Sequence, residues 1–461
     1  MKLKPFKKAI DLLCQLEREK RQARGKPREQ NTVSAEMIAG LPQLPSGWVW
    51  VSPDQISSSE PNSLTIGPFG SNLTISDYKK DGVPLVFVRN IRANDFTRDL
   101  VFVSPEKAKE LNAHSVQPGD ILITKMGDPP GDAVLYPEGL PVAIITADCI
   151  KFRISDMLGT AAYFVQAIHS SLVKQQMAIL TSGVAQQKVS LERFKTLALP
   201  FPPLPEQRKI AKILSTWDEA LEKLDALIAA KERGKKALIQ QLLTGKKRLP
   251  GFDRSNKRNK RDRFGSYPAD WRRLKLGCIT TEVGTRNAKG KDIPVLSCTK
   301  HRGLVLSEDY FGKCVYAEDT SNYRIVCRGE FAYATNHIEE GSIGYQNICE
   351  AGLVSPIYTV FKTAGTVDDN YLFRVLKSPL LVHLYRVNTS SSVDRRGSLR
   401  YGEFAQIHIW LPSKEEQIAI ATVFDTCDAE IRLLRAQRAA IDRQKRGLMQ
   451  RLLTGKTRVK I

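Results

Sequence analysis

A stretch of 43 residues occurs twice in this chain. Glu206–Arg248 aligns without a gap on Glu416–Arg458 at a constant offset of 210, with about 20 of the 43 positions identical. Leu242-Leu243-Thr244-Gly245-Lys246 returns as Leu452-Leu453-Thr454-Gly455-Lys456, and Phe194, Leu199 and Pro202 match Phe404, Ile409 and Pro412 upstream. Agreement this long and gapless marks a duplicated structural unit, and the fold must be built around it.

Each copy has the pattern of a long helix. Ile210, Leu214, Trp217, Leu221, Leu224, Ile228, Lys231, Lys235, Leu238 and Leu242 alternate steps of four and three, a heptad seam. The second copy places Ile420, Phe424, Cys427, Ile431, Leu434, Arg438, Ile441, Lys445, Leu448 and Leu452 at the same positions. Pro205 suits a first helical turn, and Ser413 with Glu416 has capping-box spacing. Gly245 and Gly455 are expected to be left-handed caps, with Pro250 preventing continuation. About 39 residues at 1.5 Å each give a rod of roughly 58 Å. Lys231, Lys235, Arg438 and Lys445 would be costly in a seam closed along its whole length. The seam is therefore expected to loosen in its middle, or to open onto acidic side chains of other helices.

The fold class expected is α+β: two globular domains separated by two long coiled-coil helices arranged as an internal repeat. The segments are residues 1–43, a basic helix (Phe6 to Arg24, with Ile10, Leu13 and Leu16 on one side) and linker; 44–203, a first domain; 204–246, a central helix; 247–266, a flexible, exposed basic linker; 267–411, a second domain; and 412–461, a C-terminal helix. Both domains open with a proline followed by tryptophan, Pro45/Trp48 and Pro268/Trp271. Short Val/Ile runs broken by Gly and Asp make both strand-rich. Otherwise they hardly resemble one another, so a repeated frame carries different contents.

Charge narrows the partners. A formal net charge of +21 favours a polyanion, because each Lys or Arg set against a phosphate releases a condensed counterion. No apolar run approaches the roughly 20 residues that span a bilayer, and no leader pattern is read at the N-terminus. The expectation is a cytoplasmic protein without a membrane partner. Eight scattered cysteines with no C-x-x-C pair read as reduced thiols.

Leu199-Pro200-Phe201-Pro202-Pro203-Leu204-Pro205-Glu206-Gln207, its echo Leu411-Pro412-Ser413-Lys414-Glu415-Glu416-Gln417, and the duplicated Leu-Leu-Thr-Gly-Lys ends form a frame. That frame resembles the specificity subunits of Type I restriction–modification systems. Gly67-Pro68-Phe69-Gly70-Ser71, followed by Gly82-Val83-Pro84-Leu85, resembles a common type of target-recognition domain; nothing in the second domain matches it. The resemblance implies a non-catalytic subunit whose two target-recognition domains each read one half of an asymmetric bipartite sequence in double-stranded DNA. The resemblance implies that the two long coiled-coil helices are antiparallel and set the spacer between the halves. It implies two methyltransferase subunits as partners, which modify adenine, and translocase/nuclease subunits in the full complex. No cofactor is expected on this chain; S-adenosylmethionine, ATP and Mg belong to the partner subunits. The alternative is a stand-alone sequence-specific DNA-binding adaptor or regulator.

No catalytic, cofactor or metal residues are assigned. Asp128-Pro129-Pro130 lacks the aromatic that would stack on a flipped base, since Gly131 follows, and reads as a turn. Gly455-Lys456-Thr457 has Gln450 where a phosphate-binding loop needs glycine. The six histidines show no close-spaced ligand set. Arg suits guanine edges, and Asn and Gln suit adenine edges. The DNA-contact candidates are therefore Lys79, Lys80, Arg89, Asn90, Arg92, Asn94, Lys125, Gln186, Gln187 and Lys188 in the first domain. In the second they are Arg286, Asn287, Lys289, Lys291, Lys300, His301, Arg302, Asn336, His337, Arg395, Arg396 and Arg400.

Overall fold

The repeat folds as two helices of 40 residues each, Leu204–Leu243 and Lys414–Leu453, in a computed structural model of the chain. The structure describes residues 11–20, 33, 38–127, 129–181, 187–253, 259–262, 265–290, 292–389 and 398–461. Gly245 and Gly455 close the helices at φ +66° and +68°. A Cβ on either would come within 2.4 Å of the ring of Pro268 or Pro45 respectively, so side-chain bulk is excluded as well as right-handed backbone.

Two compact units form: Met1–Asp225 with Gln437–Ile461, and Ala226–Ala436. The division falls inside the long helices, where the sequence suggested borders at their ends. The physical reason is packing. Ile210, Leu214, Met449, Leu452 and Leu453 join the core of the first domain, whereas Leu242, Ile420, Ala421 and Phe424 join that of the second.

In the first unit, two four-stranded sheets form. One runs Leu64–Ile66, Cys149–Phe152, Ile121–Thr124, Ala133–Leu135, all antiparallel. The other runs Val101–Val103, Val83–Val86, Ala143–Ile145, Ser115–Val116, with its central pair parallel. A short ladder of Val49–Val51 with Leu199–Phe201 ties the start of the domain to its end, just before the helix. Helix Ala161–His169 buries Tyr163, Phe164, Ala167 and Ile168. Residues 11–20 are helical as expected, and Leu16 is buried in the same cluster as Leu452 and Leu453.

The second unit is built differently between equivalent ends. Arg272–Lys275 pairs with His408–Leu411, the counterpart of the closing ladder above. Its main sheet runs Thr280–Val283, Tyr358–Thr363, Phe331–Ala334, Ile343–Tyr345, antiparallel throughout. Two further strand pairs, Leu296–Thr299 with Gly303–Leu306 and Arg324–Cys327 with Ala351–Val354, lie beside it. The basic linker is only partly exposed chain. Lys260–Asp262 and Gly265–Tyr267 form a hairpin, Tyr267 stacks on Trp410 at 5.0 Å, and Asp262 accepts from Trp410 Nε1 at 2.7 Å. Aromatic packing overrides the linker's polar composition.

One lock closes both units. Glu206 accepts from Trp48 Nε1 at 3.3 Å and from Arg458 Nε at 2.7 Å; Glu416 accepts from Trp271 Nε1 at 3.3 Å and from Arg248 Nε at 2.9 Å. Gln207 and Gln417 then donate to Pro202 O and Pro412 O at 2.9 and 3.0 Å. Ser413 Oγ caps Glu416 N–H at 3.3 Å, but the Glu416 carboxylate is spent on the lock rather than on the return bond of a capping box.

Ile210, Leu214, Leu221, Ile228, Leu242, Ile420, Phe424, Ile431 and Leu452 of the seam are buried; Trp217, Leu224, Leu238, Leu434, Ile441 and Leu448 are half-buried. All four basic seam positions meet carboxylates of the other long helix. In the first unit Arg438 meets Asp225 at 2.9 Å and Lys445 meets Asp218; in the second Lys231 meets Glu430 at 2.6 Å and Lys235 meets Asp428. Falling numbers on one helix against rising numbers on the other make the pairing antiparallel in each unit. The seam is closed by charge, not left open. Among the described residues no helix is long and apolar enough to cross a membrane.

Candidate nucleic-acid interface

In the first unit, helix Val88–Ala93 carries three of the candidates, Arg89, Asn90 and Arg92, and Asn94 caps its end. Arg92 Nη2 donates to Met126 O at 3.1 Å and its Nε lies 3.5 Å from Asp132. Lys125, at the end of strand Ile121–Thr124, holds its ammonium 4.8 Å from the ring of Phe69, which is 58% exposed. Partial burial, with Lys188 nearby, lowers the Lys125 pKa from the ordinary lysine value. Gly127 N–H donates to Gln187 O at 3.2 Å, and Met126 bridges Lys188. Arg92, Lys125, Gln187, Lys188 and Phe69 thus share one patch combining cations with an aromatic face. Stacking and phosphate contact both use such a patch.

Arg89 lies over the Phe87 ring at 4.1 Å and donates to Asp99 O at 3.0 Å. Lys79 and Lys80 are exposed, and the Lys79 backbone pairs with Phe102. Asn94 is exposed at φ +47°, ending the helix as a left-handed cap. Asn90 differs from expectation: it is buried, with Oδ1 accepting from Phe87 N–H at 3.0 Å and Nδ2 donating to Asp95 O at 3.2 Å. Capping its own helix leaves that amide no base to read.

In the second unit, strands Thr280–Val283 and Phe331–Ala334 both run antiparallel to Tyr358–Thr363, so residues 284–290 and 335–341 leave the sheet at the same end. Arg286 Nη1 donates to Asn322 Oδ1 at 3.1 Å, and Lys289 is exposed beside it. Asn287 is 1% exposed and sits 3.5 Å from Thr320 Oγ1, so it supports this loop from inside and is not a reading residue. Lys300, His301 and Arg302 form the exposed turn of hairpin Leu296–Leu306. Asn336 and His337 occupy the neighbouring turn, which Leu399 N–H joins through Thr335 O at 2.9 Å, placing exposed Arg400 close by. Gln186, Lys291, Arg395 and Arg396 lie outside the described residues, as does Asp128.

Ligand atoms of His337, Glu339 and Glu340 fall within 4.8 Å of one another, a spacing the sequence reading passed over; exposed acidic turns commonly show this without a metal. The sequence reading also missed Phe87, which backs Arg89, and Lys377, which lies under two of the turns. Nothing in their local sequence sets them apart, because their partners are distant in the chain.

Residues 73–231 match the family described as Type I restriction modification DNA specificity domain. The putative type I restriction enzyme MjaX specificity subunit of Methanocaldococcus jannaschii is 24% identical over 400 residues, 84% of this chain and 86% of that one. The type I restriction enzyme EcoKI specificity subunit of Escherichia coli K12 is 25% identical over 328 residues, 68% of this chain and 65% of that one. A solved chain from a study of complex assembly and conformational transition in a type I R-M system superposes with a TM-score of 0.55, at 16% identity over 90% of this chain and all of that one. The S subunit of a type I system from M. genitalium gives 0.51 at 14% identity, over 90% and 97%. These two structural likenesses establish the fold.

Proposed function

We propose that this chain, which carries the type I restriction–modification DNA specificity domain over residues 73–231 and resembles type I specificity subunits along most of its length, is the DNA-recognition subunit of such a system. Each unit reads one half of an asymmetric bipartite sequence in double-stranded DNA. The chain itself is not the enzyme. It brings to that sequence two methyltransferase subunits that use S-adenosylmethionine to modify adenine, and in the full complex translocase/nuclease subunits that use ATP and Mg.

The observation that carries the reading is the repeated lock around unlike contents. Glu206 with Trp48 and Arg458, and Glu416 with Trp271 and Arg248, fix the same helix starts, while the strands between them differ in number, order and surface residues. A frame kept constant around two different surfaces suits a protein that reads two different sequences. The patch of Arg92, Lys125 and Phe69 in one unit and the turns bearing Arg302, His337 and Arg400 in the other supply phosphate and base-edge chemistry.

The test is co-expression with its methyltransferase partner followed by sequencing of the methylated genome. Adenine methylation at one bipartite motif is the expected result. A stable complex that methylates no such motif would sink the reading.

A further inference from the structure

Lys377 follows helix Asp369–Leu376 and is turned into the second unit. Its ammonium donates to Thr299 O at 3.0 Å, Lys300 O at 2.9 Å and Gly341 O at 2.7 Å. An ammonium has three N–H bonds, and here each meets a backbone carbonyl. Two of those carbonyls belong to the turn bearing Lys300, His301 and Arg302; the third closes the turn bearing Asn336 and His337. A Cβ placed on Gly341 would lie 3.8 Å from Lys300 O, so the turns are neighbours even without the lysine.

We propose that Lys377 is a positioning residue for DNA recognition by the second unit, holding the 299–303 and 336–341 turns in one fixed relation. The proposal rests on the reading of that unit as a half-site reader. Lys377 reaches no base. It acts on the backbone from beneath, and the side chains on top of both turns inherit their spacing from it. Charge-assisted bonds to carbonyls suit this task because they fix main chain independently of which residues the turns display.

The experiment compares wild-type chain and K377Q, each co-expressed with the methyltransferase partner and read by methylome sequencing. K377Q is expected to lose about tenfold or more of its preference at positions in one half of the motif, with the other half and the spacer unchanged. Wild-type stringency in both halves of K377Q would overturn the proposal. Absence of a bipartite motif in wild type would instead overturn the functional reading beneath it. Should K377Q lose both halves together through misfolding, hydrogen exchange of the wild-type complex decides. Joint protection of 299–303 and 336–341 by the methylated sequence supports the proposal, and exchange unchanged in both turns refutes it.

Discussion

Arg458 and Glu206 are joined by a forked ion pair in which both carboxylate oxygens accept from one guanidinium. Glu206 is nearly sealed, its side chain 3% exposed, while Arg458 is 44% exposed; in the equivalent pair Arg248 is 8% and Glu416 2% exposed. Removing the arginine strands a buried carboxylate, which costs about 3–5 kcal/mol when both partners are enclosed and less when solvent reaches one. Arg248→Met is therefore expected to destabilise its unit by about 3 kcal/mol, and Arg458→Met the other by about 2 kcal/mol. Denaturant unfolding of each variant, followed by tryptophan fluorescence, compares the two, and a larger loss for Arg458→Met contradicts the argument.

His169 gives the first unit a pH dependence. Its Nε2 accepts from Ala133 N–H at 3.0 Å, which requires the neutral ring, and burial together with Lys174 and Lys445 lowers its pKa to about 4. Unfolded, the ring titrates near 6.5. The folded pKa is depressed, so this stabilisation is complete above about pH 6.5 and drains away as pH falls to about 4. The difference amounts to roughly 3 kcal/mol. Unfolding free energies measured across that window should decline more steeply for wild type than for His169→Gln; parallel profiles would assign the slope to other groups.

How much of this was legible depends on the distance between partners. The long helices, their glycine ends and the tryptophan landmarks are local patterns, and Gly245, Gly455, Trp48 and Trp271 all stand where those patterns place them. The basic seam residues suggested either a loosened middle or acidic partners on other helices, and Asp218, Asp225, Asp428 and Glu430 of the opposite long helix bear out the second. Asn90 and Asn287 misled because an asparagine in a polar loop looks the same whether it caps backbone or faces solvent. The 260–267 hairpin was hidden because Trp410, which holds it, is some 150 positions away. Lys377 was invisible for the same reason: its three acceptors are main-chain atoms, which no side-chain pattern announces.

The ion pairs also set a condition on altering the spacer. Asp225 pairs with Arg438 within the first unit and Lys231 with Glu430 within the second, so seven residues added to the first helix alone between Asp225 and Lys231 lengthen one helix and not its partner. A matched heptad, one after Asp225 and one before Arg438, preserves every pair on both sides and the heptad phase. The complex carrying the matched variant is expected to methylate the same two half-sites at a changed spacing. The single insertion should lose stability and methylation together. Unchanged spacing in the matched variant would remove the helices from the role of ruler.

The first unit's patch predicts two separable losses. Lys125 holds its charge against exposed Phe69, whereas Arg92 is partly neutralised by Asp132 and tied to Met126 O. A lysine facing phosphate contributes to affinity through counterion release. Lys125→Ala should thus weaken binding to cognate and non-cognate duplexes alike and flatten the dependence of log K on log salt by about one unit. Arg92, whose fork is oriented by its neighbours, is the better placed of the two to read a base edge. Arg92→Ala should relax sequence preference at one or two positions, by about 1–3 kcal/mol each, in the half-site left intact by K377Q. Binding isotherms at several salt concentrations, with single-base variants of the target, measure both effects. If Arg92→Ala and K377Q blurred the same half-site, the assignment of one half to each unit would be wrong.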